Sequence, residues 1–156
     1  MTPGTGAGQA PWTPEQQALV DQMARSGGYV GDQLAERMGI EVTSVVPGRV
    51  EGRMPVDGNR QPYGLMHGGA SCVLAETLGS IAAAVHAWPE KVAVGLEISA
   101  THHRAARDGY VTGVCTPAHQ GGSVATYEIS ITDEQGRRVC TARLTCVLRA
   151  AAPGGA

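Results

Sequence analysis

Glu76 is the one acidic side chain in an apolar run that starts at His67-Gly68-Gly69 and stops before Trp88-Pro89. Folded as a helix, that run shows apolar or small residues on every side, the pattern of a helix buried in a core. An ionised carboxylate in such a place costs several kcal/mol to desolvate, so it calls for a use. The plain alternative is that Glu76 occupies one exposed edge of the helix. Three neighbours favour chemistry. Ser80 lies four residues on, on the same face, and sets a hydroxyl beside the carboxylate. His67-Gly68-Gly69 opens the helix with two residues lacking side chains, where unpaired N–H groups and the positive dipole end can polarise a carbonyl oxygen. Gln61, in the loop that enters the helix, adds an amide donor. A carboxylate to attack or to deprotonate water, with donors for a carbonyl oxygen, suits acyl transfer to water.

Spacing sharpens this reading. Gly68 and Glu76 are eight residues apart, about 12 Å along one helix, too far to touch the same reacting carbonyl. If both act, they come from different subunits, and the site lies at a dimer interface.

The elements that hold these residues follow from periodicity. Thr13-Pro14-Glu15 reads as an N-cap, a first-turn proline and an early acid, followed by Ala18, Leu19 and Met23 at helical spacing. This predicts a helix over 14–25, ended by Gly27-Gly28. Asp32 to Met38 reads as a second short helix stopped by Gly39, with Leu34, Ala35 and Met38 on one side. EVTSVV, Pro47-Gly48 and RVEGRMPV form a hairpin, and Arg60 to Met66 is a loop leading into the long helix. After Trp88-Pro89 come extended segments over 91–106, 109–119, 123–136 and 137–149, the last two joined through Asp133-Glu134-Gln135-Gly136. A hairpin, one long helix and a run of antiparallel strands make an α+β layout in which a sheet can wrap a single helix.

Composition narrows the function classes. A chain of 156 residues with net charge -2 has the size of one domain and no basic footprint for nucleic acid. Residues 1–12, rich in Gly, Pro, Ala and Thr, are expected to be a disordered tail, residues 13–149 one domain, and 150–156 a flexible C-terminal tail. The N-terminus lacks a cationic start followed by an apolar run, which predicts a cytoplasmic protein. Cys72, Cys115, Cys140 and Cys146 form no CxxC pair. If Cys140 and Cys146 share a strand they lie about 20 Å apart, so reduced thiols are expected. Adjacent His102 and His103 on a strand point to opposite faces and cannot chelate together, and no GxSxG elbow surrounds Ser71 or Cys72.

The segments Gln61-Pro62-Tyr63-Gly64-Leu65-Met66-His67-Gly68-Gly69-Ala70-Ser71, Leu74-Ala75-Glu76 and Gly79-Ser80 together resemble the signature of the hotdog-fold thioesterases of the phenylacetate-degradation type. The likeness continues through Val94 to Ile98, Thr101 to Arg104 and Gly136-Arg137, over roughly residues 39–149. It implies a hotdog fold, with an antiparallel sheet wrapped around the central helix, and dimers that pair into tetramers. It also implies hydrolysis of an acyl-CoA, with aryl groups of the hydroxynaphthoyl or hydroxybenzoyl kind preferred. No metal or cofactor is implied, coenzyme A being part of the substrate. By the same resemblance Glu76 attacks the thioester or activates water, and the Gly68 N–H holds the carbonyl oxygen. Gln61 and His67 would place the thioester, Ser80 the attacking water, and His102 would lie near the acyl pocket. Arg104, His119, Gly121 and Gly122 fall where such enzymes contact the nucleotide of CoA, although this chain carries Gly122-Ser123 where the family has Ser-Arg. The rival from another class is a non-catalytic hotdog module that binds acyl-CoA, which has no need of a carboxylate at position 76.

Overall fold

The structure is a computed structural model that describes residues 10–26 and 32–151. Helix α1, Pro14–Ser26, opens with a reciprocal cap: Gln16 N–H donates to Thr13 Oγ1 and Thr13 N–H to Gln16 Oε1. Its inward face is Leu19, Val20 and Met23, whereas Ala18, expected on that face, is exposed. The rotation has a local cause, since Gln16 turns inward to donate to the Val85 carbonyl at 3.0 Å. The expected stop at Gly27-Gly28 lies outside the described residues, as do 1–9 and 152–156 of the expected tails.

Helix α2, Gln33–Met38, is capped by Asp32, which accepts from Ala35 N–H, and it ends at Gly39 in the left-handed region at φ 68°. Ala35 is buried, but Leu34, expected beside it, is 52% exposed and points away from the core.

Strands β1 (Glu41–Val46) and β2 (Arg49–Pro55) form the predicted hairpin, followed by helix α3 (Gly68–Ala87). Strands β3 (Lys91–His102), β4 (Tyr110–Gln120), β5 (Val124–Asp133) and β6 (Arg138–Ala150) complete an antiparallel sheet of order β1-β2-β4-β5-β6-β3. The alternation predicted in the last two strands is real: Tyr127, Ile129 and Ile131, with Cys140, Ala142 and Leu144, face the core.

The sheet wraps α3, which packs on β2 through β6. By length and composition α3 could cross a bilayer, yet Leu74, Ala75, Leu78 and Ile81 sit in the hydrophobic core. The close approach depends on missing side chains. Gly52 and Gly113 are register partners, and a Cβ on either would fall within 2.8 Å of Leu78. A Cβ on Gly79 would fall 2.5 Å from Leu144. Three glycines thus seat the helix against the sheet, and they fix the direction in which its remaining face looks.

Candidate active site

That remaining face carries Glu76. The expectation of a helix covered on all sides fails here: Glu76 is exposed in the protomer, because the sheet covers α3 only as far as its edge strand β3. Ser80 lies beside it, and the two share a cavity of about 280 Å³ with Val73, Thr77 and Ile81. Asp32 and Leu34 close the cavity from α2. On the sheet side Glu76 looks onto Gly95, where a Cβ would lie 3.2 Å from its Oε1. The β3–β6 register slips between Gly95 and Glu97, so the strand bulges where it passes the carboxylate.

The helix N-terminus forms a second cluster. His67 is the N-cap; its Nδ1 accepts from Gly69 N–H at 2.9 Å, which makes Nδ1 the acceptor of the ring. Among the described residues the Gly68 N–H has no acceptor. His102, at the end of β3, brings its Nε2 to within 2.8 Å of where a Gly68 Cβ would be, a contact that a side chain at 68 would block. Gln61 begins a loop closed by Arg60 pairing with Met66 and by its own N–H donating to Leu65 O at 2.7 Å. Gln61, His67, Gly68 and His102 therefore collect at one end of α3. Glu76 stands about two turns away and Ser80 about three.

The expected nucleotide contacts divide between the two ends of the sheet. Gly121 packs on His119, whose Nε2 would be 2.7 Å from a Gly121 Cβ; its carbonyl meets His86 Nε2 at 3.1 Å, and the Lys91 ammonium donates to Gly122 O. This group surrounds the C-terminal end of α3. Arg104 instead follows β3 at the other end, its N–H on Val139 O, and lines a polar cavity of about 330 Å³ with Asp133 and Arg137. His119 pairs with Thr126, and Thr126 with Thr145, six residues from Val139, so one protomer holds Arg104 and His119 about 20 Å apart.

Sequence reasoning missed Asp32 and Leu34 as walls of the Glu76 cavity, and Gly95 as the strand position that Glu76 looks onto. A glycine inside a strand is itself a signal of close backbone approach, and Gly95 could have been found that way. It also missed that His86 and Lys91 hold the Gly121-Gly122 turn.

The thiols are poor nucleophiles. Burial, with the Glu76 charge adding to it, pushes the Cys72 thiol up, and burial takes Cys115 to about 12. Among the described residues no three His, Cys, Asp or Glu side chains gather as metal ligands would.

Comparison with known proteins bears on this geometry. The sequence model of the thioesterase superfamily matches residues 63–140, which span the end of the loop, α3, β3 to β5 and the start of β6. The proofreading thioesterase EntH of Cronobacter turicensis is 52% identical over 113 residues, 72% of this chain and 82% of the relative. Among solved structures, a thioesterase of Haemophilus influenzae superposes with a TM-score of 0.78 at 34% identity, covering 82% of this chain and 90% of that one. A mutant thioesterase of Pseudomonas aeruginosa gives 0.75 at 32% identity, over 91% and 100%.

Proposed function

The chain belongs to the thioesterase superfamily and hydrolyses thioesters, and from that premise we propose that it cleaves an acyl-CoA carrying an aryl acyl group, with Glu76 as the base. The observation that carries this reading is the single cavity shared by Glu76 and Ser80. Ser80 can hold a water molecule against the carboxylate, and Glu76 takes its proton as the oxygen adds to the thioester carbon. The oxyanion is received by the Gly68 N–H of a second chain, supported by Gln61 and His67. When the tetrahedral adduct collapses, the C–S bond breaks, coenzyme A leaves as a thiolate, and Glu76 returns the proton to it. A thiolate leaves readily, so no cofactor is required.

The second chain is part of the proposal. β3 is a twelve-residue edge strand with Val92, Val94 and Leu96 exposed, a surface that aggregates unless it is paired or covered. Pairing along β3 would cover it and bring a partner to Glu76, and we place the active unit as a cytoplasmic homo-oligomer, a dimer of dimers. On this arrangement Arg104 and the His119-Gly121-Gly122 turn serve one nucleotide from two chains.

Glu76→Gln tests the assignment. Turnover of benzoyl-CoA should fall about 10²–10⁴-fold with the oligomer intact, and retention of most of the turnover overturns it. Single-turnover hydrolysis in ¹⁸O-water separates base from nucleophile, since label in the Glu76 carboxylate after turnover means direct attack through an anhydride.

A further inference from the structure

We infer that α2 is the specificity wall of the catalytic cavity, with Leu34 packing on the ring of the acyl group and Asp32 accepting a hydrogen bond from a ring hydroxyl. This rests on the reading of Glu76 as the catalytic carboxylate. It deepens that reading by naming the two side chains that select the acyl group.

Leu34 is a large apolar side chain left 52% exposed. It is not exposed because α2 is loosely held. Asn59 Nδ2 donates to Met38 O at 2.8 Å and to Pro55 O at 2.9 Å, tying the end of α2 to β2. Ile40 N–H donates to Ala35 O, and Gly39 lies so close to Pro55 that a Cβ would meet its ring at 3.0 Å. Ala35 is buried on the inner side. A helix pinned in this way has one face to offer outward, and it presents Leu34 to the cavity that holds Glu76 and Ser80. The facing wall, Val73 and Ile81, is apolar too, so a flat ring attached to a carbonyl near Glu76 is contacted from both sides.

Asp32 supplies the polar edge. Its Oδ1 accepts from Ala35 N–H at 3.1 Å as the cap of α2. Its second oxygen has no partner among the described residues, and an ionised carboxylate is acceptor-only, which suits a phenolic hydroxyl.

Two variants separate the parts. In Leu34→Ala the ratio of kcat/KM for benzoyl-CoA to that for acetyl-CoA should fall about tenfold, as expected for apolar contacts made by only one of two substrates. Leu34→Met should hold the ratio within about twofold. Asp32→Asn preserves the helix cap, and it should erase most of the advantage of 3- or 4-hydroxybenzoyl-CoA over benzoyl-CoA. Unchanged ratios in Leu34→Ala and Asp32→Asn overturn the inference, as does equal loss on every thioester. Full activity of Glu76→Gln on all of them would instead overturn the reading beneath it.

Discussion

The Cys72 thiol, one turn before Glu76, can report the charge of that carboxylate. Burial raises its pKa first and the Glu76 charge raises it further. Removing the charge in Glu76→Gln lowers the thiol pKa, exposes more thiolate at a fixed pH, and should speed alkylation of Cys72 by iodoacetamide above pH 8. Mass-spectrometric rates at Cys72 check this, and an unchanged or slower rate would mean that the two groups do not interact. Cys115, held at about 12, should stay unmodified in both proteins until they unfold. At this scale the sequence was most informative where chemistry and local structure coincide. Glu76, Ser80, His67 and Gly68 lie in one helix and its cap, so spacing along the chain fixes their relations. Asp32 and Leu34 belong to a separate short helix, and their approach to Glu76 depends on how Asn59 ties that helix to β2. No local pattern records such a tie.

Elements were legible for the same reason, and their packing less so. Alternation and turn residues marked β1, β2, β5 and β6 nearly to the residue, whereas the faces of α1 and α2 depended on tertiary contacts made by Gln16 and Ala35. The seat of α3 is a case where packing dominates. Gly113→Ala adds a Cβ that would lie 2.7 Å from Leu78 Cδ1 on a side chain buried from every direction. Such overpacking costs about 1–3 kcal/mol, and at about 2–4 °C per kcal/mol for a domain of this size calorimetry should show a lower Tm. A Tm equal to that of the parent would mean that Leu78 has room to turn. The β5–β6 turn offers a pH test. Desolvation raises the Asp133 carboxyl, but hydrogen bonds from the Arg137 backbone and guanidinium and from the Gln135 backbone outweigh it and hold the pKa below the usual carboxylate value. A folded pKa below the unfolded one stabilises above the unfolded value, and that stabilisation is lost as pH falls through the folded value. Asp133→Asn should therefore lower the Tm at pH 7 and bring the two proteins together in strong acid. A difference that stays constant down to pH 2 would assign the effect to geometry, not charge.

For the whole molecule the decisive relation is the separation of Gly68 from Glu76 along one rigid helix. A helix cannot fold back on itself, so on the proposed mechanism the Gly68 N–H and the Glu76 carboxylate can act on one thioester only across two copies. The sequence carries this constraint through spacing alone. The position of the proposed partner was not legible, because pairing along β3 is a matter of tertiary edges that no local pattern records. Subunit mixing tests the consequence directly. Gly68→Pro removes the N–H at the first helical position, where proline is tolerated, and His67 at ψ 131° already has the extended backbone that precedes a proline. The ring must displace only the tip of His102. Glu76→Gln and Gly68→Pro should each be nearly inactive. Co-refolded in equal amounts, half of the dimers pair one of each, and every such dimer keeps one intact site, with Gly68 from one chain and Glu76 from the other. About a quarter of the parental activity should return, as two-fold symmetry with shared sites demands. If each chain carried a complete site, the mixture would stay as inactive as its components, and the proposed partnership of two chains would fail with it.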